Sequence, residues 1–238
     1  MFDRHVSIDP NARFLRLGGY PPRVTMRLLI AQLAVFLLFL FSDAPPWLTE
    51  HLALSAQKAL LNYELWQPLS ALWIHLGLRS FVFDMVVLWL FGSALERWWG
   101  NKRFLLFFCI TGVMGLVVGM FAGLAQPTAL MAGTQGAAAA MLVACSLIFP
   151  QHYIHLRTII PIRARTLCLL SIGLIFIGGM ISRMWFDIAI QIGGAIPALL
   201  FMKTHLKVEL FRAKRKPPRL RIIKDKTRSS KGDDSYLN

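Results

Sequence analysis

Gly92-Ser93-Ala94-Leu95-Glu96-Arg97-Trp98-Trp99-Gly100 is the stretch on which the reading of this chain turns. An apolar run over 72–94 leads into it, a second over 103–124 leaves it, and the Glu96–Lys102 turn separates the two. Each run is about 20 residues, the length that crosses the hydrocarbon core of a bilayer as a helix. The same punctuation recurs in both directions. Pro45-Pro46 close a run at 26–43, and Gln126-Pro127 precede one at 133–149, which Pro150 ends. Arg183 divides 164–181 from 187–203. The pattern predicts six membrane-spanning helices without an internal repeat. Gly112, Gly115 and Gly119 lie inside the third run, where small residues let helices approach closely.

Composition agrees. Of 238 residues, 56% are hydrophobic and 16% charged, with a mean hydropathy of +0.55. A soluble domain carries about a quarter charged residues, so the composition argues against a soluble globular fold. The net charge of +14 does not point to nucleic acid, because 12 of the 26 Lys/Arg residues fall in the tail from Lys203 to Lys231. Basic residues gather on the cytoplasmic side of membrane spans. With the N-terminus in the cytoplasm, 23 of the 26 fall on that side, the others being Lys58, Arg79 and Arg183. The expected organisation is a cytoplasmic segment 1–25, a membrane domain 26–203 and a basic, disordered cytoplasmic tail 204–238. A bacterial inner membrane is the natural setting. Segment 44–71 is then external. It carries Trp47, Trp66 and an amphipathic stretch Leu52–Leu61, which suits either the interface plane or a folded connection. Ser42-Asp43-Ala44 faintly resembles a signal-peptidase site, but the long leader and Pro45 argue against cleavage. Cys109, Cys145 and Cys168 lie in apolar runs without CxxC spacing, and His152 and His155 have no neighbouring ligand, so neither disulfide nor metal is expected.

The motifs narrow the choice of six-span protein. Leu65-Trp66-Gln67-Pro68-Leu69-Ser70, followed by Trp73-Ile74-His75, resembles the approach to the second helix of rhomboids. That family has Trp-Arg, then a Thr, then an aromatic two residues before a His. The Gly92–Gly100 hinge, with Glu96, Arg97 and Gly100, resembles the turn that ends the family's second helix. Gly133-Thr134-Gln135-Gly136-Ala137 sits where rhomboids carry Gly-X-Ser-Gly-Ala at the start of the fourth helix. Pro161-Ile162-Arg163-Ala164-Arg165 resembles the basic start of the fifth, and Gln191-Ile192-Gly193-Gly194 the sixth-helix His-X-Gly-Gly. The ordered set covers about 60–203. It implies an all-α membrane protein, a six-transmembrane-helix rhomboid-like bundle with an interfacial first external loop.

Departures from the family fall on its chemistry. A rhomboid protease uses a serine as nucleophile and a histidine as general base. Those positions are Gln135 and Gln191, and a carboxamide can neither form an acyl-enzyme nor take and return a proton. The family's oxyanion-stabilising histidine and asparagine match Ser80 and Asp84, and the arginine of Trp-Arg is Gln67. An ionised Asp84 would repel a tetrahedral oxyanion; a protonated one offers a single donor. Thr134 lies about 100° around the helix from Gln135 and is expected to point away from the cavity. The resemblance gives His75 a structural role. Asp84 is expected to pair with Ser80, one turn earlier on the same face. Gln135 and Gln191 are expected to face each other in a mutual hydrogen bond, or else to bond water in a residual cavity.

The expected function is therefore binding. Inactive rhomboids recognise transmembrane or misfolded membrane clients, and the resemblance implies a client helix held laterally near helices two and five. Three alternatives are weaker. An unconventional intramembrane endopeptidase lacks its dyad, and an aspartyl dyad of Asp84 and Asp187 lacks its Gly-X-Gly-Asp setting. A channel lacks a file of polar residues. No cofactor is expected, and the partners are a membrane client and the lipid bilayer, not nucleic acid.

Overall fold

The computed structural model describes residues 14–15, 20–41, 46–126, 129–149, 153–155, 161–163, 166, 169, 172–173 and 185–215. Helix α1 (Arg23–Phe41) buries Thr25, Leu28, Gln32 and Phe36, about one residue per turn. Ile30, Leu33, Leu37, Leu38, Leu40 and Phe41 face outward. An apolar outer face of that extent suits lipid and not water. Short helices α2 (Pro46–Leu52), α3 (Ala56–Leu61) and α4 (Gln67–Ser70) follow. Helix α5 (Leu78–Val87) runs through a π-helical turn (Leu88–Gly92) into α6 (Ser93–Trp99), and α7 (Asn101–Ala122) comes next. Helix α8 is Gln135–Ile148, and α9 is Trp185–Arg215. Among the described residues four stretches are long and apolar enough to cross a membrane: Arg23–Phe41, Leu78–Trp99, Asn101–Ala125 and Trp185–Lys203. The chain is thus a mostly helical, multi-pass membrane protein.

Several boundaries differ from the sequence reading for local reasons. The second span starts at Leu78, not 72, because Ala71–Trp73 is a separate 3-10 turn and Ile74 is extended. Apolar residues continue through that turn, so hydropathy alone runs past the break. The fourth run forms only the 14 residues of α8, short of the ~20 needed to span. It is an inner helix, buried from Gly136 through Leu142 and at Ala144 and Cys145. The fifth run, 164–181, lies outside the described residues apart from a few positions. Of the tail, 204–215 continues α9, and 216–238 lies outside the described residues.

Short strands add to the helices. β1 (Phe14–Leu15) pairs in parallel with β4 (Tyr153–His155), which pairs antiparallel with β5 (Pro161–Arg163). β2 (Leu54–Ser55) pairs antiparallel with β3 (Leu130–Met131), in register Leu54 to Met131. This second sheet ties segment 46–73 to the residues leading into α8. Ala53, Leu54, Ala56 and Ala59 are buried there, so the amphipathic stretch packs by an apolar underside.

The core centres on α7, which buries Phe104, Phe107, Phe108, Leu116 and the glycine row Gly112, Gly115 and Gly119. At Gly115 a methyl group would stand 2.7 Å from the carbonyl oxygen of Ile190 and 2.9 Å from Cα of Gly136. At Gly194 it would overlap the backbone carbonyl of Gly136. Helices α7, α8 and α9 therefore cross with backbones in contact, which only glycine permits.

Candidate functional site

That crossing positions the site. Gln135 opens α8 directly before Gly136, and Gln191 follows Ile190, whose carbonyl oxygen lies 3.2 Å from where a Cβ on Gly136 would be. The two glutamines thus stand on neighbouring backbone. The expected mutual hydrogen bond is not made: Gln135 Oε1 is buried without a partner among the described residues, and Gln191 is half-buried. The backbones meet through Gly136 and Gly194, one to three residues away, and that contact does not bring the amides together.

Asp84 holds the start of α8 instead. Its Oδ2 accepts the Thr134 backbone N–H at 3.0 Å and the Thr134 hydroxyl at 3.0 Å. His75 Nε2 lies 3.3 Å from the same oxygen, and both side chains are 0–1% exposed. The imidazole stands edge-on to Phe81 at 5.3 Å. Gly133 turns the chain into this cluster with φ +112°, and a Cβ there would stand 3.4 Å from Asp84 Oδ2. Two expectations are corrected. Ser80 does not pair with Asp84; its hydroxyl donates to the Gly77 carbonyl at 2.9 Å, three residues back. Thr134 does not point away: it is the residue before the helix, with non-helical backbone angles, and its hydroxyl donates to Asp84. The Asp84 carboxyl group thus lies at the N-terminus of α8.

The flanking motifs are structural fasteners. Gln67, fully buried, accepts the Ser55 N–H at 2.9 Å and donates to Glu64 Oε2 at 2.7 Å and to the Glu50 carbonyl at 3.4 Å. One amide therefore joins three parts of segment 46–73. Trp66 donates from its indole to the His51 carbonyl at 3.2 Å. On the surface of the same segment, the Lys58 ammonium bonds Glu50 and holds its carboxyl below the usual range. At the other end of the molecule Glu96, 2% exposed, accepts the Val24 N–H at 2.9 Å and the Thr25 N–H and hydroxyl at 2.7 Å. Arg97 donates to the Tyr20 carbonyl at 2.8 Å. Gly100, with φ +80°, makes the reversal into α7. Gly193 packs on Val118. No cluster of three or more His, Cys, Asp or Glu suited to a metal occurs among the described residues.

Comparison with known proteins fits this arrangement. A family model described as the Rhomboid domain matches residues 62–207, more than half of the chain. The chain belongs to the rhomboid family. It is similar to Rhomboid protease GluP of Bacillus subtilis (strain 168), 35% identical over 54 residues. That match covers 23% of this chain and 11% of GluP.

In this rhomboid the groups at the site run hydroxyl, carboxylate, imidazole: Thr134, Asp84, His75. A hydrolytic triad needs the imidazole in the middle, so that it can take the hydroxyl proton. Here the Thr134 proton goes to the carboxylate, and Ser146 donates to the Val143 carbonyl at 2.7 Å. Sequence reasoning missed the Asp84–Thr134 bond and the Glu96–α1 bond. The signal for both was a buried acid within reach of a helix start.

Proposed function

We propose that this rhomboid is a pseudoprotease that binds transmembrane-helix or membrane-protein clients and passes them to other machinery. The observation that carries the reading is the Asp84 carboxylate at the start of α8, where Oδ2 accepts both Thr134 hydrogens. Acyl transfer needs donors aimed at a developing oxyanion in that region. Both Thr134 donors are already taken by Oδ2 and are not free for an oxyanion. Gln135 and Gln191, in place of nucleophile and base, support the same conclusion. The proposed architecture has six spans, with the fifth at 164–181 and α8 as the short fourth. Both termini lie in the cytoplasm of a bacterial cell, as the 23 of 26 basic residues favour.

A second reading rests on one contact. The buried Thr134 hydroxyl against Asp84 would serve an unconventional endopeptidase if the carboxylate acted as base. One experiment separates the two: purified protein is treated with a fluorophosphonate and, in parallel, with a rhomboid transmembrane substrate. The pseudoprotease should neither label nor cleave, and Gln135→Ser alone should not restore activity, because Gln191 leaves no base. Cleavage by the unmodified protein, lost in Thr134→Val, would establish the second reading instead.

A further inference from the structure

Between the start of α1 and the middle of the second span lies an apolar groove of about 310 Å³, lined by Pro21, Leu29, Met85, Val86 and Trp89. From Arg23 to Leu29 the helical wall descends about 9 Å at 1.5 Å per residue, within the ~15 Å of one hydrocarbon leaflet. Its mouth is cationic. Arg97 bonds the carbonyl of Tyr20, the residue before the first groove residue, and its guanidinium has further donors. Arg23, Arg27 and Lys102 are exposed at the same end of the molecule. The nearby acid, Glu96, is buried and already bonded to Val24 and Thr25, so it does not offset that charge at the surface.

We propose that this groove holds an acyl chain of an anionic phospholipid, with the lipid phosphate on Arg97. The apolar wall accepts the chain, and a guanidinium matches phosphate geometry. The other basic residues favour a net negative headgroup over a zwitterionic one, by about fivefold for one such charge near the surface.

The test is native mass spectrometry of the full chain in detergent, titrated separately with dioleoyl phosphatidylglycerol and dioleoyl phosphatidylcholine. Their chains are identical, so the comparison reads the headgroup. Wild type should retain phosphatidylglycerol at about fivefold lower concentration. Arg97→Gln should weaken both lipids, since both carry the phosphate, and Arg97→Lys should keep most of the retention; Arg23→Gln with Arg27→Gln should shrink the preference for phosphatidylglycerol. Val86→Trp, which fills the groove at its far end, should weaken both lipids. If Arg97→Gln fails to fold, Arg97→Lys and Val86→Trp still read the site. Equal retention of the two lipids by wild type, or wild-type retention by Val86→Trp, overturns the proposal. So does a dimer that Val86→Trp dissociates without changing lipid retention, which would make a second copy the occupant.

Discussion

Replacing Asp84 by alanine removes the acceptor of both Thr134 hydrogen bonds and strands a buried N–H beside His75. The expected loss is about 1–3 kcal/mol, since the donor stays buried without a partner. Thr134→Val removes only the hydroxyl bond and should lose about 1 kcal/mol. Thermal unfolding in detergent checks the order; equal effects would mean the backbone N–H finds another acceptor. Gln135→Ala and Gln191→Ala, measured singly and together, should add within about 0.5 kcal/mol, because the two amides share no bond. At this scale Gln135, Gln191, Ser80 and Asp84 were singled out in the sequence by resemblance alone. The partner of Asp84 was not: helix spacing offers Ser80 four residues away, while folding supplies Thr134 from 50 residues away.

Helix crossings set the next scale. Gly194→Ala puts a methyl group onto the Gly136 carbonyl, a backbone atom that cannot swing aside as a side chain would. Overpacking of this kind destabilises by about 1–3 kcal/mol or more. Gly173→Ala, at a glycine with nothing among the described residues within 4 Å of its added Cβ, is the control. A lowered yield of folded protein by size exclusion should follow only the first. The glycine row in α7 was legible as a close-approach surface. Its partners, Leu72, Gly136 and Ile190, were not, because spacing along one helix names a face and leaves the opposing helix open. The start of the second span was misplaced for a related reason. Ala71, Leu72 and Ile74 are as apolar as a span but are buried in a tight turn.

For the whole molecule, membrane residence and family were legible from the segregation of charge and the order of five motifs. The proposed orientation makes a sharp prediction. A phosphatase that works only in the periplasm should be inactive when fused after Asn238 and active when inserted near Lys58. The reverse pattern would overturn the orientation and leave the fold untouched. For segment 46–73 the amphipathic stretch was legible, but its contacts were not, because no linear pattern carries them: Leu54 opposite Met131, and Gln67 bonded to Ser55, Glu64 and Glu50.

The Glu96 clasp on α1 also sets an order of events during synthesis. Thr25 leaves the ribosome 71 residues before the acid that completes its helix start. At about 5–20 residues per second, α1 must wait roughly 4–14 s with its first amides unpaired. Until the second span arrives, the first is an unfinished part that a membrane quality-control protease can recognise. Once Glu96 closes on Val24 and Thr25, release of α1 requires the two spans to separate together.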